Sequence, residues 1–180
     1  MKKILSLCDY TKTWGSQYED EYEVIYVDLQ TDPTADVRLF EYTTDVHGII
    51  FQPMCQEFAG SGARWWKSKG IEPLLAGLAL VDAGMRIIKV HKPTWWVLEN
   101  PVGRLTRWLG PWAHTFNPSD YGDPYTKRTC LWGEFTMPQK NPVKPVEGSK
   151  MHLIPPGPEQ KNIRSASPLG FCKAFRMANP

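Results

Sequence analysis

Residues 71–101 read "IEPLLAGLALVDAGMRIIKVHKPTWWVLENP". Leu74, Leu75, Leu78, Val81, Met85 and Ile88 recur at three- and four-residue spacings. That spacing gathers them on one apolar face and predicts a helix over 71–90. The "TWWVLENP" that follows is a short apolar run ended by Pro101, which predicts a buried strand. A third run, "VHGIIFQP" at 46–53, precedes the helix. Strand, helix, strand with nearly continuous apolar strands predicts an α/β fold, a mostly parallel sheet flanked by helices. "KKILSLC" at 2–8 and "YEVIYVDL" at 22–29 add two strands, joined by a helix or a loop. In such sheets ligands bind beyond the carboxyl ends of the strands. Asp28, Pro53 to Cys55, and Glu99 to Asn100 all fall at those ends, so three distant segments are expected to line one cleft.

The chain of 180 residues is long enough for one real core. A formal charge of +2 and a pI near 8.3 do not announce a nucleic-acid binder, although "KSK" and "TKR" are local basic clusters. Cys8, Cys55, Cys130 and Cys172 are widely spaced, with no C-x-x-C pair, so no metal site is expected and free thiols in a reducing cytoplasm are the default. The opening "MKKILSLCDYTK" is broken by Ser6 and Asp9, too short an apolar run for a signal peptide or a membrane span. Core packing is the commoner use of the eight tryptophans; a cleft that stacks on flat rings is the sharper one. Arg64 and Lys67 beside "WW" suit either a phosphate contact or a solvated lid. His47, His91, His114 and His152 are given no role. Pro138 to Asn162 is rich in proline and lysine and predicts an extended loop. The last stretch regains apolar residues and predicts a short helix from Pro168, capped by Ser167.

Placed in this frame, "PMCQEFAGSG" (53–62) resembles the P-P-C-Q-x-F-S-x-x-G signature of DNA cytosine carbon-5 methyltransferases. "RIIKVHKPTWWVLENP" (86–101) resembles their R-I-I-x-x-x-x-P-x-x-x-x-x-E-N-V segment, in the right order and spacing. "NPSDYGDPYTKRTCLWG" (117–133) and, more weakly, "RSASPLGF" (164–171) extend the likeness over most of the chain. The resemblance implies a Rossmann-like fold that uses S-adenosylmethionine to methylate cytosine at carbon 5. Carbon 5 is a poor nucleophile, so the family adds a cysteine thiolate to carbon 6 and creates an enamine. Cys55 matches that cysteine. Glu99 matches the carboxyl group that serves ring nitrogen 3 and the exocyclic amine, with Asn100 bracing the loop. Arg128 or Lys127 is the nearest match to the family's arginine. Cys8, Asp9, Asp28, Leu29, Asp36, Val37 and Pro53 are implied on the cofactor, and Gln56, Ser61, Asn100 and Lys127 on the substrate.

Three departures stand out. The family's glycine-rich first loop is here "LCDYTKTWG", with no glycine before Gly15, and Met54 replaces a proline beside the nucleophile. Residues 138–162 stand where family members acting on duplex DNA carry a target-recognition domain. We therefore expect a catalytic core over 1–137, that loop, and a segment 163–180 packing on the core. Duplex DNA, single-stranded DNA and a free cytosine nucleotide are all open as substrates. There is room for a partner protein that supplies target recognition and for a non-catalytic binding module, and no membrane partner is expected. The reduced architecture suggests a phage or other mobile-element protein at work in a bacterial cytoplasm.

Overall fold

In the computed structural model, which describes residues 1–149, 151 and 153–180, six strands form one sheet in the order β2-β1-β3-β4-β6-β5. They are β1 (Lys3–Leu7), β2 (Glu23–Val27), β3 (Val46–Phe51), β4 (Trp95–Pro101), β5 (His114–Phe116) and β6 (Thr129–Glu134). The helices are α1 (Trp66–Lys69), α2 (Glu72–His91), α3 (Thr106–Leu109), α4 (Gln160–Ser165) and α5 (Leu169–Ala178). β1 runs parallel to β2 and β3, and β3 parallel to β4. β6 is antiparallel to both β4 and β5. The mostly parallel sheet expected from the four apolar runs is present, with an antiparallel pair, β5 and β6, added beyond β4.

Side chains of the central strands alternate between two cores, because successive residues of a strand point to opposite faces. Leu5, Leu7, Ile49, Phe51 and Leu98 face α2 and pack with Leu74, Val81, Ile87 and Ile88. Ile4, Ile50, Trp95 and Val97 face the other way, onto Trp14, Tyr18, Phe171 and Phe175. The predicted helix is α2, whose Gly84 lies so close over Phe51 that a Cβ there would overlap the ring. The second core is aromatic: the Phe116 and Phe171 rings stack at 3.8 Å and Trp14 meets Phe171 edge-on at 5.2 Å.

The connection from β1 to β2 is a loop containing a single 3-10 turn, Gly15–Tyr18, with no crossover helix. The segment from 138 onward holds no strand or α-helix among its described residues up to Glu159; Lys150 and His152 lie outside them. Its backbone is tied along the chain before β6, with Asn141 N–H donating to Asp120 O at 2.9 Å and Val143 N–H to Ser119 O at 2.8 Å. The loop ends earlier than the composition suggests, since residues 160–162 already belong to α4. The C-terminal helix is α5, but Ser167 does not cap it. Pro168 occupies the cap position in extended geometry with no side-chain bond, and the Ser167 hydroxyl donates instead to Gln52 Oε1. Phe171, Cys172 and Phe175 of α5 are fully buried. No helix among the described residues is long and apolar enough to cross a membrane.

Candidate active site

β3 delivers Gln52 to Cys55 to the carboxyl edge of the sheet, and adjacent β4 delivers Glu99 and Asn100 to the same edge. The pairing Phe51 opposite Leu98 sets the register, so Cys55 and Glu99 emerge side by side. Cys55 is half-buried in a turn closed by Phe58 N–H and Ala59 N–H, both donating to its carbonyl at 3.0 and 2.8 Å. Asn100 is fully buried and its amide donates to Pro53 O at 2.9 Å, which pins the start of the cysteine turn to β4.

Two backbone strips hold the turn farther out. Arg104 N–H donates to Phe58 O at 2.8 Å and Gly60 N–H to Val102 O at 2.9 Å. The Arg104 guanidinium donates to Glu57 O at 2.6 Å. Gly103 sits between the strips, where a Cβ would overlap the Phe58 carbonyl and crowd Gly60 N. Both neighbours are backbone and cannot rotate away. Gly103→Ala is therefore expected to destabilise the fold by about 1–3 kcal/mol, read as a lower urea midpoint in equilibrium unfolding.

The electrostatics of the pair follow from this crowding. Burial pushes the Cys55 thiol up, and the neighbouring Glu99 carboxylate pushes it further. Lys127, the backbone N–H of Cys55 and Arg164 pull it back down. Glu99 is also raised, by burial first, with Lys127 opposing. Lys127 therefore acts on both members of the pair, and its ammonium donates to Ala166 O at 3.1 Å. Arg128 is exposed, and its charge bears on Cys130. Of the two cations considered from sequence, the structure brings Lys127 to Cys55 and Glu99. Gln56 and Ser61 are exposed on the segment that follows Cys55, and so is Met54.

Beside this pair lie the ends of β1 and β2. The Cys8 thiol is pushed up to about 12, first by burial and then by Asp28, Asp36 and Asp9. Three carboxylates thus act on the thiol at the end of β1. Asp9 is buried: Oδ2 accepts from the Ser6 hydroxyl and from Gly15 N–H, both at 2.9 Å, while Oδ1 has no partner. Asp28 accepts from Gln30 N–H at 2.7 Å; its carboxyl is raised by burial, with Lys161 of α4 among the opposing groups. Asp36 caps its own turn and pairs with Arg38 at 2.7 Å, which lowers it. Leu29 is exposed, whereas Val37 belongs to the core and Pro53 is buried beneath the cysteine turn.

The missing glycines have a structural answer. Cys8 at φ 60° and Lys12 at φ 56° adopt the left-handed backbone that a glycine takes freely. Each costs about 1–2 kcal/mol against the right-handed form, so the chain keeps a tight path at this edge without glycine. Sequence reasoning missed the contribution of α4. Arg164 pulls on Cys55 and Lys161 on Asp28, and the chain after α4 is fastened to Gln52 and Lys127. The signal was present in "RSASPLGF", but the lysines before it read as linker.

Unpartnered buried polar atoms ring the same edge: Asp9 Oδ1 after β1, Gln52 Nε2 after β3 and Asn100 Oδ1 on β4. A shallow depression of about 440 Å³ lies elsewhere, lined by Thr94, Trp95, Glu134 and Asn179 at the opposite edge. Volume alone does not mark the site. Among the described residues no cluster of three or more His, Cys, Asp or Glu side chains gathers to hold a metal.

The sheet and its order, with the Cys55 turn at the carboxyl ends of its parallel strands, define a Rossmann-like α/β protein. The chain is related in sequence to the "Probable DNA (cytosine-5)-methyltransferase" of Frog virus 3 (isolate Goorha), 31% identical over 129 residues. This likeness supports the resemblance to the DNA cytosine carbon-5 methyltransferases. It covers 62% of this chain and 59% of the viral protein, so the chain spans about three fifths of that relative. A viral relative fits the expected mobile-element origin. A solved protein assigned as a DNA modification methyltransferase encoded within an E. coli prophage superposes with a TM-score of 0.48 at 14% identity, over 80% of this chain and 53% of that one. No protein-family profile matches the chain.

Proposed function

We propose that the protein methylates cytosine at carbon 5 in DNA, with Cys55 as nucleophile and Glu99 as the acid that activates the ring. The observation that carries this reading is the meeting of Cys55 and Glu99 at the ends of two adjacent parallel strands, where burial raises both groups and the Glu99 carboxylate raises the thiol further. The Cys55 sulfur bonds to carbon 6 of the ring. As negative charge builds, Glu99 supplies a proton to nitrogen 3, and Lys127 balances the charge left on the carboxylate. Carbon 5, now an enamine carbon, accepts the methyl group. Loss of the carbon 5 proton to water, return of the nitrogen 3 proton to Glu99 and expulsion of the Cys55 thiolate restore the aromatic ring, so the enzyme ends the cycle unchanged.

S-adenosylmethionine, when bound, supplies the methyl group. The residues present fit it: the Asp9 and Asp28 carboxylates that act on Cys8 suit its positive charge, and the buried, unpartnered Asp9 Oδ1 is an acceptor without a donor. Asp28 would hold ribose hydroxyls and Asp36 the adenine side, with Cys8 and Leu29 lining the edge between them. Asn100 keeps the cysteine turn in register, and Gln56 and Ser61 are free to meet the substrate strand.

The reading is tested by incubating the protein with labelled S-adenosylmethionine and, separately, single-stranded DNA, duplex DNA and free deoxycytidylate. Label recovered as 5-methylcytosine from DNA is the expected result. Label in deoxycytidylate alone, or in none of the three, overturns it.

A further inference from the structure

Trp65 and Trp108 are 55% and 43% exposed, whereas Trp14, Trp95 and Trp132 are buried. Open indoles are costly to leave in water, and these two belong to one connected surface. Trp108 rests edge-on against Phe58 at 6.3 Å, three residues past Cys55. Arg104, four residues before Trp108, lays its guanidinium 4.1 Å above the Trp66 ring, next to Trp65. Arg64 lies over Trp65 at 5.1 Å. The sequence places no acidic residue between Phe58 and Ile71, or between Val102 and Ser119, while Arg64, Lys67, Lys69, Arg104 and Arg107 all fall there. Lys69 is used internally, paired with Glu57 at 2.7 Å. Flat apolar faces interleaved with cations beside the nucleophile match a nucleic-acid strand, whose bases stack and whose phosphates are negative.

The same features disfavour a duplex. Paired bases keep their faces inside the stack, out of reach of an indole, whereas a single strand offers them at no unpairing cost. A major-groove reader needs a helix or a two-stranded ribbon. Among its described residues the 138–159 segment has neither and is bonded down onto the chain at Ser119 and Asp120.

We infer that this surface is a platform for single-stranded DNA: bases flanking the target cytosine stack on Trp65 and Trp108, and Arg64, Lys67 and Arg107 take the phosphates. The inference rests on the methyl-transfer reading for its substrate class and narrows it to the single strand. Its test is fluorescence anisotropy with a labelled pyrimidine 12-mer, alone and annealed to its complement, without cofactor. The single strand is expected to bind at least tenfold more tightly than the duplex. Trp65→Ala and Trp108→Ala are each expected to weaken single-strand binding by about tenfold, with unchanged far-UV circular dichroism and with Trp65→Phe retaining most of the affinity. Arg64→Ala, Lys67→Ala and Arg107→Ala should each lower the salt dependence by about 0.7. Equal or tighter binding of the duplex, or tryptophan variants that bind as the parent does, overturns the platform. Single-strand binding without methyl transfer would break only the catalytic reading, and methyl transfer with a preference for duplex would break only this one.

Discussion

Cys55→Ala is expected to abolish methyl transfer, by about 10⁴-fold or more, the scale of loss when the nucleophile of a covalent catalyst is removed. Stability should change by about 1 kcal/mol or less, because the side chain is small and only half-buried. Cofactor affinity should be unchanged, since the acidic group that fits the cofactor belongs to the ends of β1 and β2. Single-turnover rates measured against pH carry a second signature. The productive form needs a Cys55 thiolate beside a protonated Glu99, although both groups are raised above their ordinary values. The rate should therefore be bell-shaped, with its acid limb above the usual glutamate value of 4.5 and its alkaline limb above the usual thiol value of 9.0. Both limbs belong to the pair, and the residual transfer of Glu99→Gln should lose one of them.

Glu99→Gln should separate catalysis from stability. Transfer should fall by about 10²–10⁴-fold, because the amide cannot deliver a proton to nitrogen 3. The fold, however, should gain. Burial raises the Glu99 carboxyl, so the folded state holds its proton more tightly than the unfolded chain does. Such a group stabilises the fold fully only below its unfolded value, and the contribution is lost as pH rises through the folded value. At neutral pH the parent protein carries that penalty and the glutamine variant does not. The melting temperature of Glu99→Gln should exceed that of the parent at pH 7, with each 1 kcal/mol appearing as roughly 2–4 °C for a chain of this size. The difference should vanish below about pH 4, where the carboxyl is protonated in both states. A variant that melts lower than the parent at pH 7, with the gap closing below about pH 4, would show that Glu99 is stabilising as a charge.

Much of the fold was legible because apolar periodicity is a local property. The α2 stripe and the runs around Leu5, Val24, Ile50 and Val97 gave four strands, a helix and the edge where Cys55 meets Glu99. β5 and β6 were not read, because His114–Phe116 is three residues long and "TCLWGE" was absorbed into a motif. Ser167 was misread as a cap because a serine before a proline is the usual local signal; a partner 115 residues away in sequence, Gln52, took its hydroxyl instead. Lys127 and Arg128 are adjacent and chemically alike, so only the folded chain could show that Lys127 acts on the pair while Arg128 is exposed. Asp28 was placed by its strand end and Asp9 and Asp36 by the resemblance, whereas left-handed Cys8 and Lys12 left no mark in composition.

The most direct test of the central claim is mass spectrometry of the protein after incubation with S-adenosylmethionine and single-stranded DNA carrying 5-fluorocytosine. Fluorine at carbon 5 cannot leave as a proton does, so a sulfur bonded to carbon 6 stays bonded. The account predicts a denaturation-resistant complex of one chain with one strand, mapped to the peptide containing Cys55 and absent from Cys55→Ala. Methyl transfer to ordinary cytosine with no trapped complex, or a complex that persists in Cys55→Ala, would contradict it.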